Sequence, residues 1–116
     1  MNSVEFRRWM DSYRLDVNEE AISLKDSMLV LDRLQALYWK LDQDERAMAD
    51  QVLADWALSD DETVRFDALA LINSIGITSA LPGLRRLSER LVASRTPSAP
   101  YELKKVNRLI ERLGAK

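Results

Sequence analysis

The chain has 116 residues, 47% of them hydrophobic and 31% charged, and a formal net charge of −2. That balance belongs to a folded chain rather than a disordered one, and the length suits a single all-helical domain over residues 1–116. Cys and His are both absent, which removes disulfides, thiol chemistry, thiolate or imidazole metal sites and every triad that needs an imidazole base.

The N-terminal stretch MNSVEFRRWMDSYR has no apolar core of the signal-peptide kind. No apolar run approaches the roughly 20 residues of a bilayer span. The expectation is a cytoplasmic chain without membrane contact. Charge is unevenly spread. Residues 1–67 hold 8 Lys+Arg against 16 Asp+Glu, a net of −8, and residues 68–116 hold 9 against 3, a net of +6. Such polarity either steers a charged partner or lets the two halves complement each other.

Helix signals follow in a steady rhythm, and only three Gly and three Pro interrupt them. Ser3 is placed to cap a first helix over about 3–14, with Val4, Trp9 and Tyr13 among its apolar positions. Residues 15–23, LDVNEEAIS, are less periodic and read as a connection with room for one helical turn. Ser23, with Asp26 three residues on, opens a second helix to about 41. Leu24, Met28, Leu31, Leu34, Tyr38 and Leu41 step along it by threes and fours. Asp42 and Glu45 form a D-x-x-E start signal for a third helix over about 43–58, where Met48, Val52 and Trp56 share a face.

Ser59 and Asp60 interrupt that run, and DDETVRFDALALINSIG then continues as a fourth helix to about 75. Val64, Ala68, Leu71, Ile72 and Ile75 mark its apolar side. Gly76 stops it in the left-handed position that side chains disfavour. Thr78 or Ser79 caps a fifth helix to about 93, with Pro82 tolerated in its first turn. The stretch SRTPSAP (94–100) reads as a loop, and Pro100 starts a sixth helix through Leu103, Val106, Leu109, Ile110 and Leu113 to Gly114, a second stop glycine. No period-two pattern appears. The fold class predicted is all-α, about six helices in antiparallel pairs.

Setting Gly76 over Gly114 is a shift of 38 residues, and it superposes Ala68 on Val106, Leu71 on Leu109, Ile72 on Ile110 and Ile75 on Leu113. A helix pair at about 43–76 thus recurs at about 78–114. The segment DDETVRFDALALINSIG with the following ITSALPGLRRL resembles the HEAT and HEAT-like repeat pattern, in which an acidic turn precedes Val-Arg and the next helix begins Ala-Leu-Pro. The resemblance implies a right-handed helical stack with Val64 between the two helices of a unit and Ala68 as the small residue at their approach. It also implies that Arg65 bonds acidic or carbonyl groups at the turn, Asp60 being the acid expected. One unit, around 43–93, carries the pattern well. In the second, YELKK stands in place of Val-Arg, and the first helix pair shows none of it. The alternative is a compact six-helix bundle with one repeat-like corner.

Asp42, Asp44 and Glu45, and again Asp60, Asp61 and Glu62, cluster at helix starts. Caps and the helix dipole explain them without any further role. As a carboxylate-only catalytic or cation site they lack converging ligands or a phosphate loop, so the chain reads as non-enzymatic, without metal or cofactor. The favoured class is protein binding, as a monomer or weak homodimer. Those six acids form the candidate face, and a bacterial immunity-type protein neutralising a basic toxin domain is the most concrete form. The runner-up is nucleic-acid binding through the basic sixth helix, where Lys104, Lys105, Arg108 and Arg112 could track phosphates, although no exposed aromatic interleaves them. Trp9, Trp39 and Trp56 are either core or, where exposed, interface anchors.

Overall fold

The computed structural model describes residues 2–115. Among them are six α-helices and no strand: α1 (Ser3–Leu24), α2 (Leu29–Lys40), α3 (Gln43–Trp56), α4 (Glu62–Ile75), α5 (Leu81–Ala93) and α6 (Ala99–Gly114), with a 3-10 turn at Thr78–Ala80 leading into α5. The fold is all-α. The chain divides into two compact units, Met1–Val52 and Leu53–Lys116, and the division falls inside α3. No helix of the described residues is long and apolar enough to cross a membrane.

In the first unit α1 is longer than the sequence suggested. It runs 22 residues through the stretch read as a connection, because Val17 and Ala21 prolong a buried stripe that begins at Phe6, Met10 and Arg14. Asn18, Glu19 and Glu20 between them sit mostly on the solvent side, where helix propensity permits them. Val4, counted among the apolar positions, is exposed. The cap is Asn2 rather than Ser3: its side chain accepts from the Glu5 amide at 2.9 Å.

Ser23 opens nothing, since it lies inside α1. The break comes at Lys25, which takes a left-handed conformation (φ 55) and returns its N–H to the last carbonyls of α1. Asp26 accepts from the Met28 amide at 3.0 Å and holds the turn into α2. Leu24 and Met28, expected on the buried stripe, flank this turn and are exposed. α2 lies against α1, with Arg33 paired to Glu20 at 3.1 Å on the surface.

Asp42 and Glu45 do form a reciprocal capping box. The Glu45 amide donates to the Asp42 carboxylate at 2.9 Å, and the Asp42 amide to the Glu45 carboxylate at 3.1 Å. Arg46, one residue further, donates to the carbonyls of Tyr38 at 3.4 Å and Trp39 at 3.0 Å, so it closes the C-terminus of α2. The Tyr38 hydroxyl donates to Asp50 at 2.8 Å. Burial, and then the bond to Asp50, push the Tyr38 phenol up to about 12. Desolvation also raises Asp50, against the opposing effects of Tyr38 and Arg46.

In the second unit Asp61 caps α4 by accepting from the Thr63 amide at 2.9 Å and its hydroxyl at 2.7 Å. Gly76 ends α4 with φ 83, as its position in the sequence required. Gly114 does not match it: this glycine lies within α6 and has no positive φ. Neither Thr78 nor Ser79 caps α5; the 3-10 turn and Pro82 in the first turn start it instead. α5 passes residues 54–58, where Arg90 donates to the Leu58 carbonyl at 2.9 Å. A five-residue connection (94–98) returns the chain into α6, which packs closely and antiparallel against α5. Leu71, Ile72, Leu84, Val106 and Leu113 are among the residues withdrawn from water.

Candidate partner-binding groove

Two side-chain bridges fix how α4 and α6 lie. Near both helix starts, Arg65 donates to the Glu102 carboxylate from Nε at 2.7 Å and from Nη2 at 3.1 Å. Near both helix ends, Arg112 donates to Asn73. Start meets start and end meets end, so α4 and α6 run parallel while α5 makes the return.

Arg65 is the organising residue. Its Nη1 donates to the carbonyls of Ser59 at 3.0 Å and Asp60 at 3.1 Å, while the rest of the fork holds Glu102. Arg65 was expected to bond carbonyls at this turn, and it does. The acid that Arg65 hydrogen-bonds is Glu102 rather than Asp60, which offers its backbone oxygen at the turn. The Glu102 bonds raise the Arg65 guanidinium above its ordinary range, against the opposing effect of burial. Planar two-point pairing of this kind fixes direction as well as distance.

Between the two bridges lies an open groove of about 560 Å³. Leu69 and Ala70 of α4 and Val106 and Leu109 of α6 line its floor. Phe66 and Tyr101 stand at the end nearer the helix starts, 56% and 65% exposed. The Lys105 ammonium lies 4.6 Å from the Tyr101 ring centre and 5.9 Å from that of Phe66. Arg108 and Arg112 extend the cationic lip toward the helix ends, and Glu62 is the carboxylate on the facing lip. Aromatics therefore do stand beside the basic stripe, contrary to the sequence reading. They were hidden because Phe66 and Tyr101 are 35 positions apart and meet only once α4 and α6 run parallel.

The basic residues named from the sequence separate. Lys105, Arg108 and Arg112 line the groove; Lys104 is exposed outside it. The acidic residues separate too. Asp42, Asp44 and Glu45 begin α3 in the first unit, and Asp60, Asp61 and Glu62 begin α4 in the second. Asp42, Glu45 and Asp61 are engaged in capping. Among the described residues no group of three or more acids is placed to hold a metal ion. Of the tryptophans, Trp56 is buried, Trp9 lies at the surface beside Phe6 and Tyr13, and Trp39 is 53% exposed with the Arg46 guanidinium 5.1 Å over its ring. No protein-family model matches the chain, and no curated protein or solved structure matches it either.

Proposed function

We propose that this chain is a non-catalytic protein-binding module whose contact surface is the groove between α4 and α6. The observation that carries the reading is an open apolar concavity in which Leu69 and Ala70 are partly exposed over the buried Val106 and Leu109, with two exposed aromatic side chains at its mouth. Large exposed apolar side chains around a concavity are the usual anchors of a protein interface. The groove is also held open from both ends by polar bridges, so a partner meets a preformed surface and loses little affinity to reorganisation.

A HEAT-like stack is the architecture this proposal favours for residues 43–114. Its support is the register of the bridges: Arg65 to Glu102 spans 37 positions and Asn73 to Arg112 spans 39, either side of the 38-residue shift read from the sequence. In such a stack the parallel second helices of successive units form the inner surface on which partners lie.

The toxin-neutralising form of the proposal draws on a different surface. Trp39 is exposed in the first unit, and Asp44 is an exposed acid near it in sequence, a pair suited to a basic partner. The two surfaces are separated by pull-down with point variants. Phe66→Ala and Tyr101→Ala together abolish capture of the native partner if the groove is the interface, while Trp39→Ala leaves it unchanged. The reverse pattern overturns the groove and supports the acidic first unit. Nucleic-acid binding is the third possibility, and nuclease treatment before capture identifies it.

A further inference from the structure

The groove is chemically lopsided, and that asymmetry specifies what it accepts. α6 places three cations along one lip: Lys105, Arg108 and Arg112. Among the described residues, none of their contacts satisfies them with a carboxylate. Lys105 rests over the two aromatic rings, and Arg112 donates to the amide oxygen of Asn73. Of the two carboxylates at the groove, Glu102 is already neutralised by Arg65, which leaves Glu62 alone against three positive side chains. Beneath this lip the floor is Leu69, Ala70, Val106 and Leu109, with no charged group in it.

Resting on the protein-binding reading above, we infer that the groove takes an acidic amphipathic helix of a partner protein. Its apolar stripe lies on the floor and its carboxylates meet Arg108 and Arg112. From Tyr101 to Arg112 the lip rises by about 16 Å at ~1.5 Å per residue, the length of roughly three helical turns. Apolar anchors at i, i+4, i+7 and i+11 span that distance. Lys105, freed from one ring face, is placed to take a third carboxylate, and Phe66 and Tyr101 then cover the partner's first anchor.

Single-stranded nucleic acid fits less well. Between Phe66 and Tyr101 at one end and Arg112 at the other, the aliphatic floor of Leu69, Ala70, Val106 and Leu109 offers successive bases no further stacking platform.

The test is amide NMR on the full chain. The probe is an acetylated, amidated 14-residue peptide of Leu, Ala and Glu with leucines at i, i+4, i+7 and i+11. Its controls are the same peptide with Lys for Glu, a 14-residue oligothymidylate, and dilution of the protein alone. The Glu peptide is expected to shift amides in 62–73 and 98–112. Arg108→Glu with Arg112→Glu is expected to weaken it at least tenfold, and the Lys peptide to bind at least tenfold more weakly than the Glu peptide. Equal shifts from both peptides, or none from either, overturn the inference, as do shifts from the oligothymidylate alone. Concentration-dependent shifts at the groove without peptide show that a second copy of this chain is the occupant, and they overturn it as well. If the charge reversal leaves native-partner capture intact while Phe66→Ala abolishes it, the acidic chemistry is wrong and the groove remains the interface. If neither variant affects capture, both readings fall.

Discussion

Replacing Arg65 with Met keeps the aliphatic stem and removes the guanidinium that ties α4 to α6. The change deletes two bonds to Glu102 and two to the Ser59 and Asp60 carbonyls. It also leaves the Glu102 carboxylate, with a side chain only 13% exposed, without its guanidinium partner. Breaking a buried ion pair by removing one partner costs about 3–5 kcal/mol. The residual solvent contact of both side chains lowers this to about 2–4 kcal/mol. A domain of this size is stable by roughly 5–15 kcal/mol, so the loss is a large fraction of the total. Glu102→Gln retains an acceptor and is expected to cost about 1–2 kcal/mol. Arg65→Met with Glu102→Leu removes both charges together and is expected to recover most of the loss, a coupling of about 2–3 kcal/mol. Urea unfolding measures it in a Trp9→Phe, Trp39→Phe background, where Trp56 alone reports on the second unit. Additive single changes, each below about 0.5 kcal/mol, would refute the organising role given to Arg65.

The two glycines that aligned in the sequence are expected to respond oppositely. Gly76→Ala puts a side chain at φ 83 and should cost about 1–2 kcal/mol. Gly114→Ala meets nothing within 4 Å inside a helix, and should gain several tenths of a kcal/mol in the same unfolding assay. Lys25→Gly relieves a left-handed residue and should likewise stabilise by about 0.5–1 kcal/mol. Tyr38 titrates higher folded than unfolded, so its stabilising contribution is complete below pH 10 and is lost as the pH rises toward 12. Tyrosinate absorbance should show one of the three tyrosines ionising late, and Tyr38→Phe should remove that step.

The legible parts of the sequence were those fixed by neighbours close in the chain. Asp42 and Glu45 are three positions apart and cap as their spacing requires. Gly76 follows the apolar stripe of Ala68, Leu71, Ile72 and Ile75 and ends the helix in the left-handed conformation a glycine takes there. What depended on distant residues stayed hidden. Residues 15–23 joined α1 because Val17 and Ala21 find a buried face, which the polar letters around them conceal. Lys25 could not be recognised as a left-handed cap, since lysine carries no mark of that conformation. Glu102 lay inside the very stretch that broke the repeat signature. Only the parallel run of α4 and α6 shows it to be the partner that Arg65 lacks in its own turn. Phe66 and Tyr101 were found by the same geometry.

Site-specific photo-crosslinking in native lysate tests the groove most directly. A benzophenone side chain is placed in turn at positions 66, 101, 44 and 61. The expected result is one protein partner crosslinked in good yield from 66 and 101 and not from 44 or 61. Crosslinks confined to 44 and 61, or to nucleic acid from any position, would contradict the assignment of the groove as the binding surface.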